Sequence, residues 1–135
     1  QIDDSFLRFW FRFVYPYQGL IESNRTSLLL QYVSDNYMLF TGKTLERFYH
    51  DLAMQNGRYT HIGNWWDKKG ENEIGMVALN EFERMGVIAE IKRNPKKLSL
   101  SVLDTKAALL SSVLKGYKIE LRLLSLEDIC TIRTL

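Results

Sequence analysis

The chain is 135 residues long, enough to bury one core but not two of ordinary size. An apolar fraction of 46% and a charged fraction of 25% exclude a disordered or fibrous chain, and a formal charge of +2 is too small to diagnose nucleic-acid binding by itself. The single Cys130 excludes an intramolecular disulfide and any cysteine-based zinc site, and it fits a reducing cytoplasm. Arg8 and Arg12 interrupt the one aromatic-rich run, so no stretch reads as a membrane span, and none reads as a signal peptide. The chain opens at Gln1 without an initiator methionine, so it is expected to be a piece of a longer polypeptide.

Asp3, Asp4 and Ser5 offer caps for a short helix in which Phe6, Phe9, Trp10 and Phe13 recur at helical spacing and which Pro16 ends. These aromatics read as core in preference to an exposed partner surface. Residues 19–26 read as a polar loop and 27–40 as a second helix. Thr41 is the expected cap of a third helix running to about residue 55, with Leu45, Phe48, Tyr49 and Leu52 inward and Glu46 on the flank of that stripe. Gly57 closes it, and residues 59–66 form a first strand on which Trp65 and Trp66 must face opposite sides.

A turn over residues 67–70 leads into a second strand, 72–80, apolar on both faces, with Ile74, Met76 and Ala78 on one and Val77 and Leu79 on the other. That strand belongs in the middle of a sheet. The turn 81–86 joins it to a third strand, 87–93. Ser101 and Asp104 form a capping-box pattern for a helix that buries Leu103, Ala107, Leu110 and Leu114 and ends at Gly116. Residues 117–124 alternate as a half-covered or edge strand does, and Ser125 and Asp128 cap a last short helix. The order helix, three strands, helix, strand predicts an α/β fold with a mixed central sheet flanked by helices. Residues 1–40 form a helical extension and 41–135 the core.

On the third strand Glu90 and Lys92 are two apart, so they share a face, with Cα atoms roughly 6.6 to 6.8 Å apart. Ile88 shares that face, which puts a carboxylate and an ammonium at the end of an apolar row. Such a pair is costly to bury unless something uses it, although a plain ion pair is the competing reading. Lys68 and Lys69 precede the second strand, and Arg93, Lys96 and Lys97 follow the third. If the loops converge they make a basic rim suited to phosphate contacts; solvated loop lysines are the alternative. Thr41 to Thr44 imitates the end of a phosphate loop, but Tyr37 stands where that motif needs glycine. His50 and His61 stand on different elements and make an unpromising metal pair.

The spacing Glu90-x-Lys92 resembles that of metal-dependent phosphodiesterases of the restriction-endonuclease type. The chain resembles more closely still the nuclease-like C-terminal domain, a domain of unknown function, attached to archaeal-type AAA ATPases. The resemblance is carried by FLRFWFRFVYPY, GKTLERFYHDL, HIGNWWDKKGENEIG and VIAEIKRN, in that order. It implies a restriction-endonuclease-like fold with extra helices in front, an N-terminal ATPase domain in the same polypeptide as partner, DNA as substrate or ligand, and a cytoplasmic location. It also implies Mg²⁺ held by Glu90 and the carbonyl of Ile91, with Lys92 steadying the attacking water or the phosphate, and Glu46 as an accessory acid. Where the resemblance requires an Asp facing Glu90 from the second strand, this chain has Gly75. The expectation is therefore a gap beside Glu90 and Lys92, approached by Glu46, with weak metal binding and impaired or absent cleavage. A protein-interaction or regulatory module of the ATPase is the alternative.

Overall fold

The computed structural model describes residues 4–130 and 135, and for Ser5, Met38, Leu39 and Cys130 the backbone alone. Asp3, one of the expected caps, lies outside them. The helices are α1 (Ser5–Phe9), α2 (Gln18–Glu22), α3 (Thr26–Asn56) and α4 (Leu100–Ala108), and the strands are β1 (His61–Trp66), β2 (Glu73–Asn80), β3 (Met85–Ile91) and β4 (Lys118–Leu124). No helix among the described residues is long and apolar enough to cross a membrane. By its packing the chain divides into Gln1–Thr44 and Leu45–Leu135, and α3 runs from one unit into the other.

In the first unit Asp4 caps α1 by accepting a hydrogen bond from the Leu7 amide at 2.9 Å. The chain then winds through a π turn, Trp10–Val14, and a 3-10 turn, Tyr15–Tyr17. Pro16 does not end the winding, because it sits in the first turn of the 3-10 segment, where its missing N–H has no partner to lose. Phe13 is fully buried, with ring centroids of Phe9 at 5.1 Å and Phe40 at 5.2 Å. Phe6, the other end of the aromatic stripe, is exposed. The expected loop 19–26 contains α2, whose C-terminal turn is held by Ser23 Oγ donating to Gly19 O at 2.6 Å.

The second and third predicted helices are one. Neither Thr41 nor Gly42 stops α3, since a mid-helix glycine costs only about 1 kcal/mol against alanine and Thr44 Oγ1 bonds back to Phe40 O at 2.9 Å.

The second unit is a four-stranded sheet in the order β1-β2-β3-β4, antiparallel except where β4 runs parallel to β3. A parallel neighbour requires a crossover, and α4 supplies it. One face is covered by Leu45, Tyr49 and Ala53 of α3, packed on Met76, Val87, Ala89, Ile91 and Leu124. The other is covered by Leu103 and Leu110, packed on Ile74, Val77 and Ile88. The mixed α/β sheet flanked by helices is thus present, with β2 central and β4 on an edge.

Several readings are corrected. β3 runs from Met85 to Ile91 and not over 87–93, so Lys92 and Arg93 follow the strand. Ser99, not Ser101, caps α4, accepting from the Val102 amide, and α4 ends at Ala108, with turns carrying the chain on to Gly116. In β2, Ile74 and Met76 lie on opposite faces, not on one. From Gly63 opposite Val77 to Trp65 opposite Ile74 the ladder advances two residues on β1 and three on β2. The additional residue is a β-bulge, and it reverses the alternation at Gly75.

Candidate functional site

Because β2 and β3 are antiparallel, the start of β2 and the end of β3 lie at the same end of the sheet, together with the β1–β2 turn and the loop leaving β3. The residues singled out from sequence on the strands and these loops gather at that end. They divide between the two faces of the sheet.

On the α4 face, Glu90 is 7% exposed and has two cations. Lys92 Nζ lies 3.4 Å from its Oε1, and Lys106 Nζ lies 3.2 Å from its Oε2 and 3.4 Å from its Oε1. Lys106 also donates to the backbone carbonyl of Glu73 at 3.0 Å. Sequence reasoning did not find Lys106. Its signal is present only in retrospect, as a lysine flanking the apolar stripe of α4 between Leu103 and Ala107.

On the α3 face, a Cβ placed on Gly75 would meet Ile91 Cβ and N at 3.5 Å and Glu46 Oε1 at 3.7 Å. The expected gap beside Glu90 is thereby corrected. The bulge turns Gly75 toward Glu46 and Ile91, while Glu90 turns toward α4. The Gly75 carbonyl accepts from Asn64 Nδ2 at 3.1 Å and lies 2.7 Å from His50 Nε2, which must carry the proton, since a carbonyl only accepts. Asn64 Nδ2 also reaches Glu46 Oε2 at 3.4 Å. His50 and Glu46, one turn apart on α3, therefore both address the bulge, and His50 pins its backbone.

Burial pushes the Glu46 carboxyl above its ordinary range, and the nearby Glu73 carboxylate adds to the shift; the Asn64 hydrogen bond and the charges of His50 and Lys92 oppose it. An acid whose pKa is raised on folding contributes stability that is complete at low pH and is lost as pH rises from its unfolded value through its folded one. Glu46→Gln should therefore raise the melting temperature at neutral pH and flatten the decline seen as pH climbs out of the carboxylate range. Thermal melts of both proteins across that range measure it, and a variant that melts lower at neutral pH, or keeps the parent's slope, would show that Glu46 is not strained.

The residues do not fit the implied Mg²⁺. That ion requires an octahedron of oxygens with carboxylates among them. Both oxygens of Glu90 face ammonium groups, and the second acid stands on the other face beside a glycine, so the Ile91 carbonyl would have no pair of free carboxylates to join. Among the described residues no group of three His, Cys, Asp or Glu is arranged to hold a metal ion.

The predicted basic residues flank this end. Lys68 and Lys69 are exposed on a turn held by Asp67, which accepts from the Glu71 amide at 2.9 Å and from Asn72 Nδ2 at 2.7 Å. The Asn72 bond, above all, holds the Asp67 carboxyl below its ordinary range. Lys96 and Lys97 are exposed on the 3-10 turn Pro95–Lys97, capped by Asn94, and Arg93 is half-buried just before it.

The family described as archaeal and bacterial proteins of unknown function, DUF234, matches residues 10–102, and the chain belongs to that family. An uncharacterized protein of Methanocaldococcus jannaschii, MJECL04, is 29% identical over 98 residues, which are 67% of this chain and 21% of that protein. The chain thus spans about a fifth of the length of the curated relative it matches. No solved structure gives a significant match.

Proposed function

We propose that this family member is a nuclease-like domain that holds the phosphate backbone of DNA without cutting it, as a module of a longer cytoplasmic ATPase polypeptide. The observation that carries the reading is the charge at one end of the sheet. Lys68, Lys69, Arg93, Lys96 and Lys97 stand on the two loops there, and Glu90, the buried carboxylate at the same end, is already neutralised by Lys92 and Lys106. A phosphate approaching this end meets the exposed ammonium groups of Lys68, Lys69, Lys96 and Lys97, with Asp67 and Glu71 beside the first pair, and sequence-independent backbone binding uses contacts of that kind. The absence of an acid at position 75 and the misfit to Mg²⁺ support binding over cleavage. The resemblance to nuclease-like domains of AAA ATPases, and a relative several times longer than this chain, support the larger setting.

Non-specific affinities of this kind are on the order of 10⁻⁴ to 10⁻⁶ M at physiological salt. Duplex DNA titrated at low and high salt should show a steep loss of affinity, unaffected by a chelator. Lys96→Glu with Lys97→Glu should weaken binding about tenfold or more at low salt and reduce the salt slope by about 1 for each phosphate contact removed. Unchanged affinity and slope in that double variant would remove those residues from the contact surface. No binding by the parent chain would favour the interaction-module reading, for which the exposed Phe6, Phe11, Tyr15 and Leu30 of the first unit are the supporting observation.

A further inference from the structure

Lys106 is enclosed, and Lys92 is not. The Lys106 side chain is 19% exposed against 48% for Lys92. Its ammonium has three N–H donors and three oxygens within reach: both carboxylate oxygens of Glu90, at 3.2 and 3.4 Å, and the backbone carbonyl of Glu73, at 3.0 Å. Those oxygens belong to two strands. The register of β2 and β3 runs no further toward this end than Met76 opposite Ala89. Beyond that point the Lys106 ammonium is a link between Glu73 of β2 and Glu90 of β3. The packing of Leu103, Ala107 and Leu110 on the sheet fixes where α4 delivers it.

We propose that the Lys106 ammonium is the resident cation of this sheet end, bridging the Glu90 carboxylate and the Glu73 carbonyl as a divalent ion would, so that the protein excludes metal from Glu90 and needs none. A tethered monovalent cation suits this position. It neutralises a carboxylate that would be costly to bury alone, it bonds the Glu73 carbonyl, and it cannot dissociate. The inference rests on the proposed DNA-binding reading for one consequence only, that phosphate is bound without a divalent ion. The ammonium's structural part is independent of that reading.

The probe is Mn²⁺ itself, read by thermal melting and by paramagnetic broadening of backbone amide signals. In the parent chain, millimolar Mn²⁺ should leave the melting temperature within about 1 °C of that in NaCl of equal ionic strength, and the amides of Glu73 and Glu90 should stay unbroadened. Lys106→Met should melt lower than the parent and regain about 3 °C or more with Mn²⁺, and adding Glu90→Gln should abolish that gain. Lys106→Arg, which keeps the charge, should remain indifferent to the metal. Broadening at Glu73 and Glu90 in the parent, or a folded Lys106→Met that ignores Mn²⁺, overturns the inference. If Lys106→Met does not fold, the parent spectrum and the Arg variant decide by the same criteria. Failure of the parent to bind DNA beside these metal responses would count against the proposed function and leave the role of Lys106 standing.

Discussion

Gly86→Ala should destabilise the sheet unit by about 1–3 kcal/mol, the usual range for forcing an extra methyl into a filled interior. Gly86 lies on β3 between two neighbours, opposite Leu79 of β2 and Ile119 of β4. A Cβ there would come within 2.6 Å of the Ala78 carbonyl oxygen and 2.7 Å of Leu79 Cδ2. The leucine tip can rotate away, but the carbonyl belongs to the ladder and cannot move without disturbing strand pairing on a central strand. The cause is close approach of backbone, not an unusual dihedral, so no other residue relieves it. Equilibrium denaturation measures the effect, and a variant within about 0.5 kcal/mol of the parent would mean that β2 and β3 pack less closely than described.

Gly75→Asp should destabilise for a different reason, although both glycines stand in strands of one sheet. The added Cβ meets its neighbours at 3.5 to 3.7 Å, ordinary contact distances, so the side chain fits. What it disturbs is charge. The new carboxylate points toward Glu46, an acid already pushed up by burial and by Glu73. Without metal the variant should fold but lose about 1–2 kcal/mol at neutral pH. The loss should shrink as pH falls into the carboxylate range, because protonation of either acid removes the repulsion; the raised acids favour the fold at low pH and cease to do so as pH rises through their folded values. Mn²⁺ or Mg²⁺ should restore stability by binding between the two carboxylates, in contrast to the metal indifference expected of the parent. Calorimetric titration with Mn²⁺ and melts at two pH values test both halves. A folded variant with no metal affinity would show that position 75 is not a vacated ligand position. Cleavage is not expected to return with this substitution alone, since Glu90 stays paired with Lys92 and Lys106 on the other face.

Position 75 also shows where a linear reading stops. The alternation in β4, the apolar stripe of α4 and the order of the elements were legible because each depends on the period of one element, and period is a property of sequence. The proximity of Glu90 and Lys92 was legible for the same reason, being local to the end of one strand and the residue after it. The bulge was not. It takes one additional residue in β2 against β1, and whether a strand inserts that residue depends on its partner's register and on Asn64 and His50 being placed to hold the Gly75 carbonyl. One residue of slip put Ile74 and Met76 on opposite faces and moved the missing side chain from Glu90 to Glu46.

The same distinction explains the helices and the buried ion pair. Helical periodicity is present on both sides of Thr41, but a capping residue and a glycine are tolerated inside a helix when the flanking turns continue, so the sequence alone could not decide between two helices and the single α3. Glu90 and Lys106 are separated by sixteen residues and a crossover connection. Their meeting requires α4 to be seated on the sheet by Leu103 and Leu110, a result of packing that no spacing rule contains. The order of the four strands and the apolar rows of α4 and β4 were fixed by the residues alone, because these follow from local periodicity and steric preference. That Glu90 meets Lys106 as well as Lys92, and that Gly75 faces Glu46, was decided by the tertiary structure, because strand register and helix seating are set by the joint packing of segments distant in the chain.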